Sequence, residues 1–193
     1  MNKAITIGLI GLLILFGVQQ NKQKQDQEVL DYLHFPGVIT GVRDDGYVYA
    51  VLTEDRDNKD NSIVFYISED VVLLDDTVRA AVGQEQLTMG TRITAYYPEN
   101  TPVALSMPPQ MTPRVIVINS KKDVGFVHVA TFADDLVSSD GQLKLNLSTD
   151  TVITDAQGKP VTKIAGKTLV VFYTASTRSI PAQTTPEKII VLN

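Results

Sequence analysis

The sequence predicts an all-β protein built as two tandem copies of one small unit behind an N-terminal apolar segment. Three observations predict it. The pattern S-x-P-x-Q-x-T-P occurs twice, as Ser106-Met107-Pro108-Pro109-Gln110-Met111-Thr112-Pro113 and as Ser179-Ile180-Pro181-Ala182-Gln183-Thr184-Thr185-Pro186. Each copy leads into an apolar stretch that reaches an Asn, Arg114 to Asn119 and Lys188 to Asn193. Between them, short runs of alternating polarity are broken by Gly, Pro and Asp turns, the pattern of strands rather than helices.

Composition bounds the rest. The 193 residues are 44% hydrophobic and 20% charged, a globular balance with room for one ordinary domain or two small ones. The net charge of −5 is unevenly spread. Residues 1–36 carry 3 basic and 3 acidic side chains, residues 37–119 carry 6 and 12, and residues 120–193 carry 8 and 7. No segment offers the basic surface that a phosphate backbone requires, so nucleic acid is not an expected partner. The chain has no Cys, which excludes disulfides, thiolate metal sites, cysteine nucleophiles and lipoprotein acylation. With two His in the chain, a His-built metal or acid–base centre is hard to assemble. No cofactor and no catalytic residue is predicted.

In chain order, residues 1–36 read as a signal-anchor helix and stalk. After Lys3, residues 4–18 (AITIGLIGLLILFGV) carry no charge. As helix these residues span about 22 Å, against about 30 Å for a hydrocarbon core, a length that suits a signal sequence. The Gln- and Lys-rich residues that follow offer no small-x-small cleavage site, which favours an uncleaved membrane anchor with the bulk extracytoplasmic; secretion after cleavage is the alternative. Lys22 and Lys24 weigh against that orientation and Lys3 for it. Residues 21–33 lack Gly and Pro, so the helix is predicted to run to about His34 and stop at Pro36-Gly37.

The first β-domain is placed at 37–119. Strands are predicted over 38–43 and 47–53, joined at Asp44-Asp45-Gly46, then over 62–68 and 71–74. Residues 76–87 could hold one or two helical turns, and 92–97 is a further strand before the proline stretch. The second β-domain, at 120–193, repeats the scheme. Leu147 to Val152 matches Ile67 to Val72, and Gly166 to Tyr173 matches Gly90 to Tyr97. About five short strands per copy indicate small five-stranded antiparallel barrels, OB-like or SH3-like. The short connection Ser120 to Asp123 implies a stiff end-to-end pair.

The proline stretches are the strongest site candidates. Pro cannot donate to a central ladder, and Thr112 and Thr185 are held extended by the Pro that follows each. Ser106, Pro108, Gln110 and Thr112, like Ser179, Pro181, Gln183 and Thr185, lie two apart and share one face of an extended chain. With Pro113 and Pro186 they read as a latch closing each barrel before its last strand. A peptide-binding groove along this face is the functional alternative. In the loop 54–61, Asp55, Asp57 and Asp60 form a weak calcium candidate: Lys59 breaks the alternation of oxygen ligands and no Gly follows, so a solvated hairpin loop is the plainer reading. Glu69-Asp70 and Asp75-Asp76 suit turns and caps, since neighbours on a strand face opposite ways. His128 lies on an alternating strand with no Ser-His-Asp spacing to recommend it.

The order of an acidic strand end, a turn, a Gly-started strand and S-x-P-x-Q-x-T-P before an apolar strand resembles uncharacterised β-domains of exported proteins from spore-forming Gram-positive bacteria. Some of those accompany copper-amine-oxidase N-terminal-like modules. The resemblance covers residues 37–193 and rests on Ser106 to Pro113 and Ser179 to Pro186. It implies an envelope location and a non-enzymatic role, and it carries over no catalytic or copper-binding residue. The function expected is therefore that of a membrane-anchored structural or interaction protein, contacting a protein partner or copies of itself. A glycan- or peptide-binding envelope module is the alternative, and a carboxylate-based hydrolase centred on Asp70 and Asp150 a distant third.

Overall fold

The computed structural model describes residues 30–46, 49–58, 60–121 and 124–192. The strands are β1 (Tyr32–Asp44), β2 (Tyr49–Asp55), β3 (Ser62–Tyr66), β4 (Val72–Asp75), β5 (Ala80–Ala81), β6 (Arg92–Pro98), β7 (Gln110–Met111) and β8 (Val115–Ile118), then β9 (Phe126–Phe132), β10 (Leu143–Leu145), β11 (Val152–Asp155), β12 (Lys167–Tyr173), β13 (Ala182–Thr184) and β14 (Lys188–Val191). The first eight form one sheet in the order β5-β4-β8-β6-β1-β2-β3-β7. The others form a four-stranded sheet, β11-β14-β12-β9, and the pair β10-β13.

The all-β class holds, with 48% of the chain in strand. The two small five-stranded antiparallel barrels do not. The strands wind as a β-solenoid of about three turns. Four of the eleven ladders are parallel: β3 with β7, β4 with β8, β10 with β13 and β11 with β14. These join segments between 36 (Val152 and Lys188) and 46 (Val64 and Gln110) positions apart. Alternation of side chains says which face a strand buries but not the direction of its partner, so the sequence pattern carries no record of these ladders.

The predicted N-terminal helix lies outside the described residues as far as residue 29; no helix among the described residues is long and apolar enough to cross a membrane. Where the stalk was predicted to stay helical, to His34, the chain is already in β1. Tyr32 to Val38 pair antiparallel with β6, and Gly37 to Asp44 with β2, so one long strand serves two neighbours. Gly37 is needed there: a Cβ would lie 2.4 Å from the Glu54 carbonyl oxygen. The helical turns predicted over 76–87 reduce to β5 and a short 3₁₀ turn at Gln84–Gln86.

Both halves use the same ladders. In the first, Ile93, Thr94, Ala95 and Tyr96 face Ile118, Val117, Ile116 and Val115; in the second, Leu169, Val170, Val171 and Phe172 face Val191, Ile190, Ile189 and Lys188. Val72 pairs with Val115 as Val152 pairs with Lys188, and Phe65 with Met111 as Leu145 with Thr184. This register sets Asn119 in the place of Leu192 rather than Asn193: Asn119 N donates to Arg92 O (2.8 Å) and Leu192 N to Thr168 O (2.9 Å).

Three apolar clusters hold the fold. The first half encloses Phe35, Ile39, Val51, Phe65, Ile93 and Ile116; the second encloses Phe132, Leu143, Leu145, Leu169, Val171 and Ile189. The third lies between the halves: Leu74, Val115 and Val117 from the first meet Val129, Val170, Phe172, Ile190 and Leu192 from the second. Period-two alternation explains the division, since Ile116 and Ile118 turn to the first cluster and Val115 and Val117 to the third. The halves are thus packed side against side, not end to end. Strands buried on both faces need continuous apolar runs, which is why β8 and β14 read as such.

Candidate functional site

Each proline stretch turns back on itself through its serine. Ser106 Oγ donates to the Pro108 carbonyl (2.6 Å) and Ser179 Oγ to the Pro181 carbonyl (2.8 Å), and both Met107-Pro108 and Ile180-Pro181 are cis. Ala104 N donates to Gln110 O (2.8 Å) and Thr177 N to Gln183 O (2.9 Å), closing the two loops alike. The glutamines cross to the neighbouring strand: Gln110 Oε1 accepts from the Tyr66 hydroxyl, and Gln183 Oε1 from Asn146 Nδ2 (3.2 Å). Pro113 and Pro186 are buried, while Thr112 and Thr185 are exposed. The Pro186 carbonyl accepts from the Thr151 hydroxyl (2.9 Å). The serine therefore serves its own loop, the glutamine ties it to β3 or β10, and the threonine faces water.

With its polar groups turned inward, the loop leaves apolar side chains outside. Leu105, Met107 and Ile180 are 103%, 95% and 88% exposed. Sequence reasoning passed over them because they fill the variable position of S-x-P or precede it. The available signal was that Met107 and Ile180 hold the same place in the two copies and are both large and apolar.

The calcium candidates are not brought together. Asp55 Oδ1 accepts from the backbone N–H of Asp57 (2.7 Å) and Asn58 (3.0 Å), and these bonds, the Asp57 one foremost, hold its carboxyl below the usual range. Asp57 is paired with Arg56 at 3.2 Å, and Asp60 N donates to the Asn58 side chain. Among the described residues no three His, Cys, Asp or Glu side chains are placed to share a metal ion.

Asp75 and Asp76 fasten the end of the first half. Burial pushes the Asp75 carboxyl up, but hydrogen bonds from Ser120, Val78 and Thr77 outweigh it and hold the group below its ordinary value. Asp76 is buried and accepts from Asn119 Nδ2 (3.3 Å) and Ser120 N (3.1 Å). Asp70 offers its carbonyl to Arg114 Nη1 (3.2 Å), and Asp150 is exposed, so nothing joins these two carboxylates into an acid–base couple.

His128 meets two residues that sequence reasoning missed. Its Nε2 lies 3.2 Å from Asp140 Oδ2, and Ser138 Oγ donates to Asp140 Oδ1 (2.6 Å). Nε2 has no aligned acceptor, so the contact is one of charge. The order is wrong for nucleophilic catalysis, which needs the imidazole between hydroxyl and carboxylate. Ser138 is buried and accepts from Leu143 N (2.9 Å), which makes the trio a brace for the turn between β9 and β10. Burial lowers the His128 pKa; Asp140 opposes that and His34 reinforces it.

A shallow groove of about 290 Å³ lies on the outer face of β1, β2 and β3, where Gly41, Val42, Leu52 and Val64 form an apolar bed beside Tyr66 and Gln110. It places one latch glutamine beside a surface able to hold a ligand. No family model matches the chain, and no curated protein matches it.

Proposed function

We propose that the chain is a non-enzymatic interaction protein, anchored in a membrane through residues 4–18, that holds its β-structure outside the cytoplasm and contacts a protein partner or further copies of itself. The observation that carries this reading is the outward placement of Leu105, Met107 and Ile180 on two loops of identical construction. A large side chain left in water forgoes about 1.5–3 kcal/mol of burial, and a loop that turns such residues outward twice has a use for them in contact. The likeness of the sequence to exported envelope β-domains supports the location. A photo-crosslinking amino acid at position 107 or 180 in intact cells tests it. The reading expects a discrete adduct at these positions and none at exposed Gln157. Adducts no different from those at Gln157 contradict it.

A second reading, an envelope module for glycan or peptide, is favoured by the groove at Tyr66 and Gln110. It expects wall glycans or extended peptides to bind, and Leu52→Lys to abolish binding while leaving the crosslinks intact. In either reading intact mass of the native chain separates an uncleaved anchor from a secreted product.

A further inference from the structure

A second cleft, of about 360 Å³, opens beside the connection between the halves. Arg56, Arg92 and Lys121 line it from three separate places: the loop after β2, the start of β6 and the connection itself. Thr94, Asn119 and the buried Asp76 lie among them. Residues 37–119 hold 6 basic and 12 acidic side chains, so the gathering of two of those cations with Lys121 runs against the local charge. Arg92 has no side-chain ion pair or hydrogen bond among the described residues. Arg56 has only the exposed Asp57 contact, and Lys121 acts on Asp75 at long range.

The polar wall is already ordered. Thr94 Oγ1 donates to Asn119 Oδ1 (2.9 Å), and Asn119 Nδ2 donates to Asp76. Guanidinium groups present planar pairs of donors that match a carboxylate or phosphate, while an amide, a hydroxyl and a carboxylate nearby suit hydroxyl groups. The volume falls in the range of small-ligand pockets, and the junction of two packed units is where such pockets concentrate.

We propose that this cleft binds a small polyhydroxylated oxyanion, a carboxylate or phosphate carried on a sugar-sized body. It is separate from the proline loops, so its fate does not depend on the crosslinking result. The test is calorimetry on the full chain in detergent micelles with glucuronate, glucose 6-phosphate and glucose. At least one anion binds with saturation and glucose does not; which anion wins identifies the oxyanion. Arg56→Gln and Arg92→Gln each weaken binding on the order of tenfold, and added salt weakens it further. Lys163→Gln, an exposed cation elsewhere, leaves it unchanged. Mass spectrometry after phenylglyoxal treatment gives a readout that needs no variant: the bound anion shields Arg92. Failure of both anions to bind, equal binding of glucose, undiminished affinity in both arginine variants, or unshielded Arg92 overturns the proposal.

Discussion

At the first proline loop, Gln110 accepts from the phenol of Tyr66; at the second, Gln183 accepts from the amide of Asn146. Directly after the loops, Arg114 donates to the Asp70 carbonyl, whereas Glu187 takes a hydrogen bond from Thr174 (2.6 Å) and faces Arg79 of the other half at 3.9 Å. The first half carries the β1–β2 hairpin, which the second replaces by the turn braced by Ser138 and Asp140. Backbone ladders coincide residue for residue while the side chains on them have diverged. The ladders and the serine-closed loops are therefore what the architecture demands of every copy. The groove at Tyr66 and the cation-lined cleft sit on elements that the second half lacks or fills otherwise, which marks them as particular to the first.

The comparison breaks most severely at the surface where the halves meet. Val117→Asp sets an unpaired charge in the third cluster and is expected to cost more than about 4 kcal/mol, eliminating the folded state in circular dichroism. Ile190→Ala, in the same cluster, should cost about 2–5 kcal/mol in urea unfolding. The two glutamines sharpen the contrast. Gln110→Ala leaves a half-buried phenol without its acceptor and should cost about 1–2 kcal/mol, whereas Gln183→Ala, at an exposed bond, should cost less than about 0.5 kcal/mol. Equal effects would show that the copies have not diverged in how they hold their loops.

A pH effect comes next in size. Burial sets the His128 pKa below its ordinary value near 6.5, so the unfolded chain binds the extra proton more readily. The stability this neutral imidazole contributes is complete above about pH 6.5 and declines as the pH falls through that value toward the lower folded pKa. Asp140 moderates the slope and His34 steepens it. Urea midpoints at about pH 5 and about pH 8 should differ in the wild type, and less so in His128→Gln. Smallest is Arg79→Ala: its ion pair with Glu187 is partly exposed, so the loss should stay below about 1 kcal/mol and shrink in salt.

Much of this was legible in the residues. Matching Gly90 to Tyr97 with Gly166 to Tyr173 foretold the equivalent registers of β6 and β12, because a strand's alternation fixes which positions turn inward. The S-x-P-x-Q-x-T-P copies foretold the paired loops. Three things were not legible. Pairing direction leaves no trace in side-chain alternation, so the parallel ladders were missed. The apolar runs Val115 to Ile118 and Ile189 to Leu192 are ambiguous between one buried face and two, so the cluster joining the halves was missed. Helix propensity in Gln-, Lys- and Leu-rich residues gave way to tertiary pairing at Tyr32, where β6 supplies the partner. In the loops, Met107 and Ile180 escaped notice because polar positions drew the eye and apolar ones read as filler.

The account stands on the halves being one body that shares a core and presents two loops outward. Native-state hydrogen exchange under increasing urea tests it most directly, following amides of Val117 in β8 and Ile190 in β14 together. The expected result is that both merge into one global opening at a single midpoint, and that Ile190→Ala lowers both equally. If Ile190 opens at low urea while Val117 stays protected, the halves are independent beads and the shared core does not hold them.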